Sequence, residues 1–197
     1  MRLLPLIALC LIAAPVSAGE ISSAYTDLDT ARDCVTFSAA AEGEGDWADM
    51  VCSGYRGYPV LIYYDDARES LFYGFPPGGD LAPAWESFSA FNSSGPKIEW
   101  RIDTDGDLSV PFAAINRWSV GGEPDKKTEV LVVSKVGQLA ERSGCVVGLV
   151  VATGNPAANE AARRIADTSA RNFDCESGTR TVIEGKAPLP HFERTRD

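Results

Sequence analysis

Histidine is nearly missing from these 197 residues: His191 is the only one. A general base must lie within hydrogen-bond reach of its nucleophile, and the chain has no Gly-x-Ser-x-Gly elbow to present a serine to an imidazole, which argues against a Ser-His-Asp hydrolase. The cysteines are never two or three residues apart, so zinc chemistry on Cys and His spacings is disfavoured, and neither a metal nor a cofactor is expected. Basic clusters are equally scarce. Lys126-Lys127 and Arg163-Arg164 are the longest runs, and 18 Lys and Arg stand against 28 Asp and Glu, a formal charge of −10. Phosphate backbones and anionic lipid surfaces both select clustered cations, so nucleic acid and charged membranes are not expected as partners. Beyond the N-terminus no segment approaches the roughly 20 apolar residues of a spanning helix.

What is present begins with a leader. Arg2 supplies a positive start, Leu3 to Ala14 is almost wholly apolar, and Val16-Ser17-Ala18 offers small residues for cleavage, the pattern of a secretory signal peptide over residues 1–18. Cys10 follows Leu9, where a lipid-anchoring cysteine would follow a small residue, and reads as a small hydrophobe of the signal core. Removing Arg2 with the leader leaves 17 basic residues against 28 acidic ones, a net −11. The expected product is an acidic periplasmic or secreted protein with no membrane insertion. Residues 19–175 form one disulfide-stabilised domain, and 176–197, which contain Pro188 and Pro190, form a flexible C-terminal tail.

Four cysteines remain: Cys34, Cys52, Cys145 and Cys175. An even number in an exported chain implies disulfides, and four allow three pairings. Cys34 with Cys52 and Cys145 with Cys175 is preferred, because each pair lies in one contiguous segment.

The periodicity is mostly that of strands. Residues 19–33 read as a polar arm. Cys34 to Phe37 and Trp47 to Cys52 are extended, and Val60 to Tyr64, rich in β-branched and aromatic residues, pairs with Ser70 to Phe75 across an Asp65–Arg68 turn. Ile98, Trp100 and Ile102 alternate with Lys97, Glu99, Arg101 and Asp103, which predicts one buried and one wet face. After the Asp105-Gly106 turn the chain returns with Phe112, Ala114, Trp118 and Val120 on a common face. Val146 to Val151 is apolar on both faces and should be covered on both sides. The cover is a helix over about 156–173, capped by Asn155 and Pro156, whose Ala158, Ala161, Ala162, Ile165, Ala166, Ala170 and Phe173 recur at three- and four-residue spacing. The fold class expected is α+β: a mainly antiparallel sheet with one C-terminal amphipathic helix packed on it.

Chemistry is thinly signalled. Asp103, Asp105 and Asp107 alternate as carboxylates in a calcium loop do, but Leu108 and Ala114 stand where that loop wants Gly and Glu, so an acidic hairpin turn is the expectation. Asp65, Asp66 and Glu69 read as solvated turn charges. The aromatic and glycine-rich segment Gly54 to Pro59, with Trp85 beyond it, holds the residue types that dominate binding hot spots, and Tyr55, Arg56, Tyr58 and Trp85 are the candidate binding residues.

At Gly54 to Val60, Ile98-Glu99-Trp100-Arg101, Pro111 to Trp118 and Asn155 to Asn159 the chain resembles a group of small exported proteins of Gram-negative, alphaproteobacterial type. The resemblance covers most of the region after the leader, including the four cysteines. It implies a periplasmic address and transfers no functional residue. The functional expectation is a non-catalytic binding or interaction protein of the cell envelope, taking an envelope protein or a glycan. The alternative is a carboxylate-dependent hydrolase of envelope glycans or esters that would use Asp103, Asp105 and Asp107.

Overall fold

The computed structural model describes residues 19–78, 84–121 and 127–195, so the expected leader lies outside the described residues. In chain order the elements are β1 (Glu20–Asp27), α1 (Thr30–Asp33), β2 (Cys34–Ala39), β3 (Trp47–Cys52), a 3-10 turn at Tyr55–Gly57, β4 (Val60–Asp65), β5 (Arg68–Tyr73), β6 (Trp85–Phe88) and β7 (Asn92–Asp105). They continue with β8 (Leu108–Val120), β9 (Thr128–Lys135), β10 (Cys145–Val151), α2 (Ala158–Ser169), β11 (Thr181–Ile183) and β12 (Phe192–Thr195). Six strands form one sheet in the order β1-β7-β8-β9-β10-β11, four form a meander β2-β3-β4-β5, and β6 pairs with β12. Every pairing among them is antiparallel except β10 with β11. This is the expected α+β class.

The six-stranded sheet is the middle layer. Its alternating side chains divide between two cores. Ile98, Trp100, Ile102, Ala114, Trp118, Val130, Val132 and Leu149 point toward the four-stranded sheet, where they meet Val60, Ile62, Leu71 and Tyr73. Ala113, Ile115, Leu131, Val133, Val147 and Val150 point the other way, against Ala158, Ala161, Ala162, Ile165 and Ala166 of α2. The double apolar character of β10 follows: all seven of its residues are buried. A stripe of alanines lets the helix approach closely, and the sheet answers with Gly148, where an added Cβ would stand 2.7 Å from Ile165 Cγ2.

The helix is shorter than its periodicity suggested. Asn155 Oδ1 accepts the Ala157 N–H at 3.1 Å, so residues 156–157 form a side-chain-closed turn before the helix, and after Ser169 the chain turns toward Cys175. Ala170 and Phe173 still pack on the same core. Cys34 is bonded to Cys52 across the β2–β3 ladder, and Cys145 at the start of β10 to Cys175 behind the helix, as the preferred pairing has it.

Four expectations are corrected. The polar arm at 19–33 is largely β1, an edge strand paired along its full length with β7; it buries few side chains, so no apolar period marks it. The wet face of β7 lies under α2: Arg101 is 9% exposed. Phe112 turns to the helix side with Ala113 instead of joining Ala114, because the β7–β8 register slips by one residue between Arg101 and Ile102 and leaves Phe112 as a bulge. The segment after Cys175 is no frayed tail, since β11 extends the main sheet and β12 pairs with β6.

Candidate functional site

The four candidate binding residues fall in two places. Tyr55, Arg56 and Tyr58 stay together at the entrance to β4. Tyr55 is half-buried with its ring 6.3 Å from that of Trp100, and the Arg56 guanidinium lies over Tyr55 at 5.3 Å. Arg56 adopts the left-handed conformation, φ 46°, uncommon for a residue with a Cβ. Tyr58 packs on Phe75 and donates its hydroxyl to Gln138 Oε1 at 3.0 Å. These rings close the edge of the core between the two sheets. Gly54 is required there, because a Cβ would run into the Tyr58 carbonyl and Trp100.

Trp85 stands apart. By alternation along β4, Val60 and Ile62 enter the inter-sheet core while Leu61 and Tyr63 face outward, and Trp85 covers those two together with Phe72. Beside it the outer surface of the meander carries Trp47 opposite Asp65 and Asp49 opposite Tyr63 in register. Together with Tyr64 these residues line an open cleft of about 260 Å³. Trp47 is 38% exposed. Arg68 lies 6.0 Å from the Trp85 ring centre and 3.6 Å from Asp65. Burial pushes the Asp49 carboxyl above its ordinary range. The cleft thus combines aromatic walls with two carboxylates, and the Arg68 guanidinium stands beside it. Sequence reading found Trp85 but missed Trp47 and Asp49, whose only signal was the period of two along β3.

The alternative hydrolytic set does not converge. Asp103 is held by Arg171 at 2.9 Å, while Asp105 and Asp107 sit at the β7–β8 hairpin tip, exposed. No group of three or more His, Cys, Asp or Glu side chains among the described residues is arranged to hold a metal ion. Asp103 belongs to a charged seam that fastens α2 to β7: Arg163 meets Glu99 at 2.6 Å, and Arg101 donates two bonds of 2.8 Å to Asp167. Burial alone would raise the Glu99 carboxyl, but hydrogen bonds from Arg163 and Ser23 and the nearby guanidinium charges outweigh it and hold the group below the usual carboxylate range. Glu69, expected in solvent, accepts the Ser94 N–H at 2.7 Å.

Two other combinations bear on nucleophilic chemistry, one formed by the fold and one present as a spacing in the sequence. Ser89 Oγ lies 2.7 Å from His191 Nδ1, but both side chains are exposed, and the contact continues the β6–β12 register beyond Phe88 and Phe192. Ser94 and Lys97 have the Ser-x-x-Lys spacing; they lie on β7, not on a helix, and the Lys97 ammonium is paired with Asp27 at 2.7 Å. Among the described residues no further hydrogen-bond partner of the His191 ring orients it as a base, and the Asp27 carboxylate keeps Lys97 engaged away from Ser94.

Comparison of the chain with family models, with curated proteins and with solved structures yields no match. Among the described residues no helix is long and apolar enough to cross a membrane. The two disulfides are those of a protein matured under oxidising conditions.

Proposed function

We propose that this is an exported, periplasmic binding protein of the cell envelope, non-catalytic, and that it takes a glycan at the cleft between Trp47 and Trp85. One observation carries the reading: two tryptophans and Tyr63 line one cleft with Asp49 and Asp65 on the outer sheet surface, and Arg68 lies beside Trp85 and Asp65. A sugar ring has an apolar face of C–H groups that stacks on an indole and a rim of hydroxyls that donate to carboxylates, so this mixture of side chains matches it group by group. The cleft is small and open, which suits one ring of a longer polymer better than an enclosed small molecule. Two carboxylates disfavour sugars that are themselves acidic. The Tyr55–Tyr58 edge contributes by stiffening the meander rather than by touching the ligand.

Intrinsic tryptophan fluorescence during titration with N-acetylglucosamine oligomers, with neutral hexose oligomers as a second series, tests the reading. Saturable quenching is expected, lost in Trp47→Ala at unchanged thermal midpoint and lost in Trp85→Ala with native near-ultraviolet dichroism, the second variant melting lower because Trp85 covers Leu61 and Tyr63. Retained quenching in both variants, or none in the parent with either series, rejects it.

A further inference from the structure

On the helix side of the six-stranded sheet, β8 and β9 run on past the first turn of α2 and leave a cleft of about 590 Å³, within the usual range for small-molecule sites. Its floor is apolar, Ile115 and Leu131, each 4% exposed. Its charges fall into two groups. Lys97, Glu99 and Arg163 are already engaged, the first with Asp27 and the other two with each other. Arg117 and Glu129 are different. Among the described residues Arg117 donates only to the neutral Asn159 Oδ1, at 3.0 Å, and neither Arg117 nor Glu129 makes an ion pair there.

The ladder sets these two on one face of the sheet. Arg117 is directly opposite Leu131, and Glu129 directly opposite Ser119, so the two charged side chains are diagonal neighbours on one face. Such diagonals are about 7–8 Å apart at the backbone. Asn159, on the first turn of α2, engages the guanidinium. A guanidinium presents a planar fork of donors to a carboxylate, and a carboxylate accepts from an ammonium, so the two heads face complementary halves of one ligand.

We propose that this cleft binds a zwitterionic small molecule of the α-amino acid class. Its carboxylate meets Arg117, its ammonium meets Glu129, and its apolar side chain rests on Ile115 and Leu131. The site is independent of the aromatic cleft on the meander.

The experiment is calorimetric titration of the mature protein with L-leucine, N-acetyl-L-leucine, which lacks the ammonium, and L-leucinamide, which lacks the carboxylate, preceded by a thermal-shift screen of the common amino acids. Saturable binding of a free amino acid is expected, weakened about tenfold or more by either blocking group, since each removes a charge-assisted hydrogen bond. Arg117→Met and Glu129→Gln should each weaken binding by a similar factor, with near-ultraviolet dichroism unchanged, while Trp47→Ala leaves it intact. Silence of the whole screen overturns the proposal. So does equal binding of N-acetyl-L-leucine and L-leucine, which would reduce the cleft to a simple anion site, and that comparison needs no variant to fold.

Discussion

Glu86 and Arg180 lie 94 residues apart in the chain, and their side chains meet at 2.7 Å. Glu86 is 5% exposed. Its other oxygen accepts the Val146 N–H at 2.8 Å, and Arg194 stands 3.7 Å away. Arg180 also donates to the Val146 carbonyl and lies over Phe192. One buried carboxylate therefore ties β6, β10 and the C-terminal segment together, and two arginines from that segment supply the charge that allows it to be buried.

Replacing Glu86 by Gln leaves Arg180 and Arg194 largely buried without their counter-charge. Breaking one side of such a pair costs about 3 kcal/mol, so urea melts of Glu86→Gln should show that loss, accompanied by faster proteolysis after Cys175. A change as small as that of an exposed ion pair, below about 0.5 kcal/mol, would remove the carboxylate from this role.

Asp49 carries an expected conflict between stability and binding. Because burial raises its folded-state pKa, ionisation works against folding, and the parent protein loses stability as the pH rises from the unfolded-state value through the folded one. Asp49→Asn should therefore melt at higher temperature than the parent at pH 7. The difference should vanish at pH 3, where both side chains are neutral. The same variant should bind glycan less well, because an amide is a weaker acceptor of hydroxyl protons.

Glu99 has the opposite sign. Its folded pKa is depressed, so its contribution is fully present above the unfolded value of about 4.3 and is lost as the pH falls through the lower, folded value. Glu99→Gln should be less stable than the parent at pH 7. Its melting temperature should also fall less steeply on acidification below pH 4.3, and parallel acid limbs for parent and variant would contradict this.

Gly148 sets the distance between helix and sheet. Gly148→Ala would place a methyl group 2.7 Å from Ile165 Cγ2 and 3.2 Å from the Thr181 carbonyl oxygen. Overpacking of this kind costs about 1–3 kcal/mol. Adding Ile165→Ala makes room for the methyl group, so the double variant should be more stable than the sum of the single losses predicts; strict additivity in the denaturant-melt cycle would show that the two do not touch.

What was legible in the chain is what depends on neighbours in sequence. The β4–β5 hairpin announces itself through two β-rich runs around Asp65–Arg68, with Asp66 and Ala67 at φ 48° and 59° making the turn. The amphipathic alanine helix and the two-faced apolar strand β10 are periodic signals, and the segment-local pairings Cys34–Cys52 and Cys145–Cys175 hold in the structure. The charged residues of β7 misled because alternation reports polarity, not exposure: Arg101 is polar and buried, since Asp167 of α2 comes down on it with two hydrogen bonds. The candidate binding residues lie in one aromatic-rich stretch of sequence, yet Tyr55 and Tyr58 pack at the edge of the main core and Trp85 on the outer cluster of Leu61, Tyr63 and Phe72.

By itself the sequence determined the fold class and the helix and favoured one of three disulfide pairings, because backbone periodicity and loop closure act along the chain. Tertiary structure alone decided which charges are buried, that Thr181–Ile183 and Phe192–Thr195 return as β11 and β12, and that Trp47, Asp49 and Trp85 share a cleft. Each of those rests on a partner tens of residues away, and a side chain carries no mark of its distant partner until the layers close around it.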